Sequence, residues 1–255
     1  MDPEEYDRLY ALETGHWRFR ALHRLLRRAL LPHLDTISGE GEPLILDAGC
    51  GTGGTALALA DLGRFVGIDR SARALQWAAR RAVGDLARAG LETLPFPEDS
   101  FDAVLSVDVL YHRAVADDVA ALSELARVCK PRGVVLIWVA AYEWMRSGHD
   151  VVVHTARRYT RRRVLEIAEL AGLEVLRSSY THASLLPFAI ARRCWSALGA
   201  APRSNLHSTG RALNALLSGL LDLEGRLSLS VPLPFGLSVY ALLRKPSSRQ
   251  AAESE

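Results

Sequence analysis

The stretch 44–54, LILDAGCGTGG, decides the fold of this 255-residue chain. It joins an apolar run to one acidic residue, Asp47, and then to four glycines in six residues. This order predicts a buried strand that turns sharply into a helix, with backbone that a ligand can approach closely. The spacing of Gly49, Gly51 and Gly54 satisfies G-x-G-x-x-G, and Asp69 stands twenty residues beyond Gly49. The stretch therefore predicts a cofactor loop, and the glycines alone leave open which cofactor it binds.

Short apolar runs alternate with helical patterns on both sides of this loop. That alternation predicts an α/β fold with a Rossmann-like, doubly wound, mostly parallel seven-stranded sheet, and ligands at the carboxyl ends of its strands. Strands are expected at 44–48, 64–68, 86–89, 103–107, 134–140, 173–178 and 238–243, and helices at 55–62, 72–83, 116–129 and 161–171.

Helical patterns also flank this core. From Glu4 to Leu34 leucines recur at helical spacing, and Pro32 helps to end the pattern. Two amphipathic helices are expected in 181–235, and we interpret them as a cap over the site; a hairpin that only completes the core is the alternative. The predicted layout is one domain, 1–245: N-terminal helices 1–37, cofactor-binding core 44–180, cap 181–235 and last strand 236–245, followed by a disordered tail, 246–255.

The composition limits the class of protein. The formal net charge is +2, and the longest apolar run, 134–142, is too short to span a membrane. The acidic first ten residues lack the order of a secretory signal, so a soluble cytoplasmic protein is expected. The widely spaced Cys50, Cys129 and Cys194 are predicted to be reduced thiols. A nucleic-acid partner is not indicated, and the residues do not determine the oligomeric state.

Asp47 distinguishes between the two cofactors that such a loop commonly binds. A nicotinamide dinucleotide places two phosphates at the helix N-terminus, where the Asp47 carboxylate would repel them. S-adenosylmethionine instead carries a sulfonium and an α-ammonium, which a carboxylate attracts. Asp69, at the end of the next strand, is expected to accept hydrogen bonds from the ribose hydroxyls. The residues therefore favour S-adenosylmethionine.

Five ordered segments resemble the class I S-adenosylmethionine-dependent methyltransferases, in particular the bacterial type 11 branch. They are LILDAGCGTGG (44–54), VGIDRS (66–71), LPFPEDSFDAVLS (94–106), VLYH (109–112) and ELARVCKPRGV (124–134). The resemblance implies that Asp47, Gly49, Gly51 and Gly53 wrap the methionine part of the cofactor, and that Asp69 holds the ribose.

The chain departs from that family before LPF, where many relatives have an acid that contacts adenine and this sequence has Gly90. Adenine contacts are therefore assigned to Leu91 and Glu92. A weaker resemblance at 13–20 places an N-terminal helix over the cofactor, with Trp17 and Arg20 as contacts. The predicted cofactor-binding set is completed by Cys50, Arg70 and Asp108.

Candidates for chemistry follow the fourth and fifth strands. His112 is a candidate base, and a structural histidine that caps the next helix is the alternative. In the irregular segment after the fifth strand, His149 and Tyr142 are candidates to touch the acceptor. Arg158 and Tyr159, with Arg157, are expected to bind an anionic group or secure the loop, and His154 joins the predicted substrate residues. His149, Asp150 and His154 match no familiar zinc spacing, so no metal site is predicted.

The sequence therefore predicts a methyltransferase that acts on oxygen or nitrogen of a small, amphipathic or lipid-linked metabolite. A cofactor-binding regulatory or scaffold protein without turnover is one alternative. An NAD-dependent oxidoreductase is another, disfavoured by Asp47 and by the lack of a Tyr-x-x-x-Lys pair.

Overall fold

The computed structural model describes residues 1–37, 41–196 and 210–247, with the backbone alone at 37 and 194–196. All but two residues of the predicted disordered tail, 246–255, lie outside the described residues, as does the segment that joins the two cap helices. The Cys194 side chain is likewise outside them, whereas Cys50 and Cys129 are buried free thiols.

Seven strands form one sheet in the order β3-β2-β1-β4-β5-β7-β6. All neighbouring strands pair in parallel except β7, which runs antiparallel to both β5 and β6. This confirms the Rossmann-like, mostly parallel seven-stranded sheet. The strands are β1 (Leu44–Ala48), β2 (Arg64–Asp69), β3 (Asp85–Arg88), β4 (Phe101–Val107), β5 (Cys129–Ala140), β6 (Glu174–Thr181) and β7 (Ser238–Arg244).

Helices cover both faces of the sheet, because alternate side chains of each central strand point to opposite faces. In β1, Ile45 packs in a cluster with α2 and Leu46 packs in the cluster that contains α5 and α7. The helices are α1 (Pro3–Leu12), α2 (Trp17–Ile37), α3 (Gly54–Ala58), α4 (Ala72–Ala79), α5 (Asp118–Val128), α6 (Gly148–Val152), α7 (Arg161–Leu170), α8 (Leu186–Ser196) and α9 (Arg211–Ser230).

Several predicted boundaries were wrong. Pro32 lies inside α2, which continues to Ile37. Its ring is exposed, while Leu30 and Leu34 are buried against the sheet, so tertiary packing carries the helix past the proline. The N-terminal segment is two helices with a turn at 13–16, and the predicted helix 55–62 is α3 followed by a 3₁₀ turn, Ala60–Leu62. The predicted helix 116–129 is shorter, because the chain enters β5 at Cys129.

The helical insertion packs on the N-terminal helices. Asp222 of α9 binds Arg24 and Arg28 of α2 at 2.6 and 2.7 Å. Near the start of α9, Asn214 accepts a hydrogen bond from the Trp17 amide at 2.8 Å and donates one to the Gly15 carbonyl at 3.0 Å. Among the described residues, α8 and α9 contribute no lining to the cavity at the strand ends. The described part of the insertion therefore supports α2, which lines that cavity, rather than covering the cavity itself.

Candidate active site

A cavity of about 330 Å³ lies at the carboxyl ends of β1, β2 and β4, where strand order reverses. Its volume is within the roughly 300–1,000 Å³ typical of small-molecule sites, and its position is the usual ligand site of a doubly wound sheet. Helix α1 and the start of α2 form its other wall. It brings together ten of the predicted site residues: Asp47, Gly49, Cys50, Gly51, Asp69, Arg70, Leu91, Asp108, His112 and His149.

The glycine loop is fastened to β2 by backbone and carboxylate bonds. The Gly49 and Cys50 amides both donate to the Ile68 carbonyl at 2.8 Å. The Asp69 carboxylate accepts from the Gly51 amide at 3.1 Å and from the Ser71 amide at 2.8 Å. Each carboxylate oxygen retains a further lone pair, so Asp69 can order the loop and still accept from a ligand hydroxyl.

Gly49 needs to be glycine for two reasons. Its φ of 97° is unfavourable for other residues, and a Cβ there would overlap the Val109 side chain. Because Val109 follows β4 and lines the cavity, the loop and the β4 end approach closely only without a side chain at position 49.

Asp47 is a buried carboxyl group at the end of β1. Among the described residues no group bonds its Oδ2 atom. Burial, and to a smaller extent the nearby Glu13 and Asp69 carboxyls, together raise the pKa of Asp47 to about 7. A cation placed beside such a buried carboxyl group stabilises its charged form.

Glu13, which sequence reasoning did not assign to the site, contacts the glycine loop from the end of α1. Its carboxylate accepts a hydrogen bond from the Thr52 hydroxyl and forms an ion pair with Arg81 at 3.4 Å. A Cβ on Gly54 would overlap the Glu13 carboxyl group, so this glycine makes room for it. Burial raises the pKa of Glu13, and the hydrogen bond from Thr52 and the charge of Arg81 oppose that rise. The signal that points to Glu13 is its place at the start of the 13–20 segment noted above.

Acidic groups outnumber cationic side chains around the cavity. The lining contains three cationic groups, the Met1 amino group and the side chains of Arg18 and Arg70, whereas its five carboxyl groups are Glu5, Glu13, Asp47, Asp69 and Asp108. Arg18 is already paired with Asp108. This imbalance favours a cationic ligand over one with two phosphates.

The β4 end forms a second polar region. Asp108 adopts a φ of 59°, which an aspartate tolerates, and its Oδ2 lies 3.3 Å from Arg18 Nη2. Burial raises the pKa of Asp108, and the Arg18 charge opposes that rise. Burial and Asp108 raise the pKa of the adjacent Tyr111 well above 10, so its hydroxyl is protonated at neutral pH. Sequence reasoning did not assign Arg18 or Tyr111, because neither belongs to the glycine pattern.

Two histidines reach the cavity with a ring nitrogen that no described residue bonds, His23 Nε2 and His149 Nδ1. Burial, with a smaller contribution from a nearby arginine, lowers the pKa of each to about 4. Both rings are therefore neutral at pH 7 and able to accept a proton or a hydrogen bond.

His112 lines the cavity and also stabilises its own loop. Its Nδ1 accepts from the Ala114 amide at 3.1 Å, and its Nε2 lies 3.3 Å from the Met1 amino group. Burial, and next the positive Met1 amino group, lower its pKa to about 4. His112 therefore stabilises a turn, but it does not cap α5, whose N-cap is Asp117.

The structure does not bring three residues of the segment after β5 to the cavity. The buried Tyr159 hydroxyl lies between the Leu110 carbonyl and the Asp118 carboxylate, 3.2 Å from each. Arg158 binds both carboxylate oxygens of Asp150, at 2.7 and 3.0 Å, and the Ala141 carbonyl at 3.0 Å. Arg158 thus secures the loop, one of its two predicted roles. Tyr142 stacks on Tyr180, with 5.2 Å between ring centroids.

Five other predicted residues lie outside the lining. Glu92 accepts from the Ala116 amide, and His154 bonds Asp2 at 2.9 Å. Gly53 is the N-cap of α3, and a Cβ there would meet Ala78. Trp17 and Arg20 are on α2, next to Arg18 and Phe19, but unlike these two they are not part of the lining. No group of three metal-ligating side chains occurs within residues 1–37, 41–196 and 210–247.

Comparison with known proteins finds similarity to methyltransferases. Residues 46–137 match a family model described as "Methyltransferase domain". The demethylmenaquinone methyltransferase of Tropheryma whipplei (strain Twist) is 37% identical over 142 residues, which are 52% of this chain and 54% of the relative. A "Probable S-adenosylmethionine-dependent methyltransferase" of Mycolicibacterium smegmatis is 33% identical over 136 residues, 51% of this chain and 52% of the relative. The chain therefore spans about half the length of these curated relatives.

The fold is also that of solved structures. A Thermotoga maritima structure titled "SAM-dependent methyltransferase, possible histamine N-methyltransferase" superposes with a TM-score of 0.57 at 19% identity, and covers 95% of each chain. At this identity the likeness concerns the fold alone.

Proposed function

We propose, from the match of residues 46–137 to the methyltransferase family model, that the chain is a type 11, class I S-adenosylmethionine-dependent methyltransferase that methylates oxygen or nitrogen of a small or amphipathic metabolite. S-adenosylmethionine is the proposed methyl donor. The observation that carries the proposal is the Asp47 carboxyl group, buried among further carboxyls with no described partner at Oδ2. A cationic cofactor supplies the missing positive charge.

Residues of the glycine loop and of the neighbouring strand ends bind different parts of the cofactor. Asp47 faces the charged methionine part, and the Gly49 and Gly51 backbone allows close approach. Asp69 accepts from the ribose hydroxyls while it holds the Gly51 amide. Leu91, buried on the cavity wall, is the adenine contact that the lining supports, whereas Glu92 lies outside it. The bound cofactor supplies a methyl group already activated by its sulfonium.

The β4 end and α2 form the proposed acceptor side. In this proposal Arg18 and Asp108 orient a polar group of the acceptor, and His149 receives the proton that an oxygen or nitrogen nucleophile loses; all three residues line the cavity. Since the methyl group arrives activated, alignment is the main contribution of the protein, and well-oriented reactants gain roughly 7–11 kcal/mol. Apolar side chains in the lining favour an acceptor that has an apolar part. These side chains are Leu9, Phe19, Leu22, Val107 and Val153.

Calorimetry with the full chain tests the cofactor assignment. We expect S-adenosylmethionine and S-adenosylhomocysteine to bind and NAD not to bind. The Asp47→Asn variant should bind S-adenosylmethionine at least tenfold more weakly, and Asp61→Asn, at an exposed acid paired with Arg27, should bind it normally. Binding of NAD without S-adenosylmethionine would reverse the assignment.

Turnover tests the reaction. Incubation with methyl-labelled cofactor and fractionated bacterial extract should transfer label to a metabolite and release S-adenosylhomocysteine in equal amount. Tight cofactor binding without turnover in any fraction would favour the regulatory or scaffold alternative.

A further inference from the structure

His23 presents an unpaired ring nitrogen to the cavity from the first half of α2. It lies four positions after Phe19, so the two side chains share the helix face that lines the cavity. Their ring centroids are 6.5 Å apart, and the ring planes are inclined by 28°. His23 is only 8% exposed, and no described residue bonds its Nε2 atom. A buried polar atom of this kind calls for a partner, and a bound ligand can supply it.

Helix α9 fixes the direction in which His23 points. Arg24, the next residue of α2, donates from Nε to Asp222 at 2.6 Å. Its Nη2 donates to the Ser218 carbonyl at 2.7 Å and to the Ser218 hydroxyl at 2.8 Å. Consecutive residues of a helix are about 100° apart around its axis. The contacts of Arg24 with α9 therefore keep α2 from rotating and hold His23 on the cavity side.

The groups around His23 place it at the glycine-loop end of the cavity. Burial, and to a smaller extent the nearby Arg81 charge, lower the pKa of His23 to about 4. Arg81 is the ion-pair partner of Glu13, whose carboxylate accepts from Thr52 of the loop. Glu13 is also close enough to Asp47 to raise the pKa of that carboxyl. His23 and Asp47, which both line the cavity, therefore border the same end of it.

The arginines of the lining are already paired within the described chain. Arg18 binds Asp108, and Arg70 donates to the Ala114 carbonyl at 3.0 Å. His149 is the other lining histidine with an unpaired ring nitrogen, but it is on α6, where the Arg18 charge acts on it. Of these four side chains and His23, only His23 is both unpaired and at the glycine-loop end.

We propose that His23 binds the α-carboxylate of S-adenosylmethionine through its Nε2–H group. The inference rests on the proposed function, which assigns this cofactor. The methionine part carries its carboxylate on the carbon that bears the ammonium group, so a site that holds the ammonium beside Asp47 must accept the carboxylate close by. The Asp47 and Glu13 carboxyls repel that negative group, and a buried carboxylate needs a hydrogen-bond donor. His23 supplies the donor.

A neutral donor suits this position. With its lowered pKa the His23 ring is uncharged at pH 7, and one of its two tautomers carries the proton on Nε2. That tautomer donates to the carboxylate without repelling the ammonium and the sulfonium, whereas an arginine or lysine side chain would repel both. The buried Phe19 and Leu22 keep the surroundings apolar, where a hydrogen bond is stronger than in water.

Calorimetry with two ligands that differ in this carboxylate tests the assignment. Decarboxylated S-adenosylmethionine keeps the sulfonium and the ammonium, and the full wild-type chain should bind it at least tenfold more weakly than S-adenosylmethionine. His23→Leu should bind S-adenosylmethionine about tenfold more weakly than wild type, and the decarboxylated ligand within about twofold of wild type. His23→Gln, which keeps a donor, should retain a preference of about threefold. The matched control is His33→Leu, at a partly exposed histidine near the other end of α2, and it should behave as wild type.

Circular dichroism melting establishes that each variant is folded. A His23→Leu chain that keeps the wild-type preference would overturn the inference, and so would an equal loss of affinity for both ligands, since His23 would then contact another part of the cofactor. Both results leave the cofactor assignment intact. Failure of the wild-type chain to bind S-adenosylmethionine would instead reject the proposed function, and this inference with it.

Nitrogen NMR of the histidine-labelled wild-type chain gives a second measurement that needs no folded leucine variant. S-adenosylhomocysteine, which keeps the carboxylate, should fix the proton of the His23 ring on Nε2. 5′-Methylthioadenosine, which lacks the amino-acid part, should leave the nitrogen shifts of that ring unchanged. His23 shifts that S-adenosylhomocysteine does not move would overturn the inference.

Discussion

Glu13 and Arg81 form a buried ion pair, with 3.4 Å between Oε2 and Nη2 and side chains only 8% and 4% exposed. Arg81 follows α4 and also donates to the Tyr10 carbonyl at 3.0 Å, so both contacts fasten the end of α1 to the core. Because the same Glu13 carboxylate bonds Thr52 in the glycine loop, the cavity wall formed by α1 depends on this pair.

Removal of one partner should therefore be costly. We predict that Glu13→Ala lowers the free energy of unfolding by about 3 kcal/mol, because Arg81 is left buried and uncompensated. Urea denaturation measures the change. The double variant Glu13→Ala/Arg81→Met should recover much of the loss, and equal stability of the single variant and the wild-type chain would show that the pair is not buried in solution.

Cofactor affinity should depend on pH through Asp47. Its pKa of about 7 means that the carboxyl is mostly protonated at pH 6, and a cationic ligand must displace that proton. Affinity for S-adenosylmethionine should rise by up to tenfold per pH unit from 5.5 to 7 and then level off. Calorimetry over this range checks it. In Asp47→Asn the affinity should be weaker and nearly independent of pH; a parallel rise in both proteins would assign the titration elsewhere.

Asp47 should also affect stability with a definite sign. The pKa of Asp47 in the folded chain is above 3.8, the ordinary value of an aspartate. The folded chain therefore binds the Asp47 proton more tightly than the unfolded chain does. The contribution of Asp47 to the free energy of unfolding therefore declines as pH rises from about 4 to about 7, by on the order of 4 kcal/mol. His23 and His149, whose pKa values are lowered to about 4, change stability in the opposite direction below pH 6.5.

The comparison of Asp47→Asn with the wild-type chain isolates the carboxyl from these histidines. In the absence of cofactor, the asparagine variant should gain stability relative to wild type as the pH is raised from 5 to 8. A constant difference across that range would contradict the raised pKa.

Asp69 should matter to both the loop and the ligand. We predict that Asp69→Ala weakens cofactor binding by about 1.5–3 kcal/mol, the usual value of hydrogen bonds to a charged group. Calorimetry at pH 7.5 measures it, and Asp85→Ala, at an exposed aspartate that begins the neighbouring strand β3, serves as the control. Unchanged affinity would remove Asp69 from the ribose site.

His149 should act in turnover rather than in cofactor binding. If it accepts the acceptor's proton, His149→Gln lowers kcat by roughly 10²–10⁴-fold and leaves cofactor affinity within twofold. Its pKa of about 4 predicts that it stays active between pH 8 and 5.5 at saturating cofactor. The partly exposed His33 supplies the control, His33→Gln. Full turnover in His149→Gln would show that His149 is not the base, and His112 would then be the candidate to test.

The sheet and the glycine loop were predictable because their signals are local in sequence. The apolar run that ends at Asp47 and the one that ends at Asp69 each define a strand and place an acid at its carboxyl end. Parallel pairing then brings these acids to one edge of the sheet, as Asp47 and Gly67 are direct partners in β1 and β2.

The other cavity wall was not predictable in the same way. Glu13 resembles any acid at the end of an amphipathic helix, and only the docking of α1 on Thr52 and Arg81 gives it a role. Tyr159 shows the reverse case. A tyrosine hydroxyl in an irregular segment suggests a ligand contact, but the Tyr159 hydroxyl is hydrogen-bonded inside the protein, to the Leu110 carbonyl and the Asp118 carboxylate.

The position of β7 between β5 and β6 bears on how the chain is made. During synthesis, β6 leaves the ribosome more than fifty residues before β7, and within the sheet described above it pairs with β7 alone. Until residue 244 emerges, β5 has one open edge and β6 has no neighbour, so this half of the sheet closes late. The nascent chain therefore exposes one open edge of β5 and the unpaired strand β6, and protection of them by a chaperone would raise the yield of native protein.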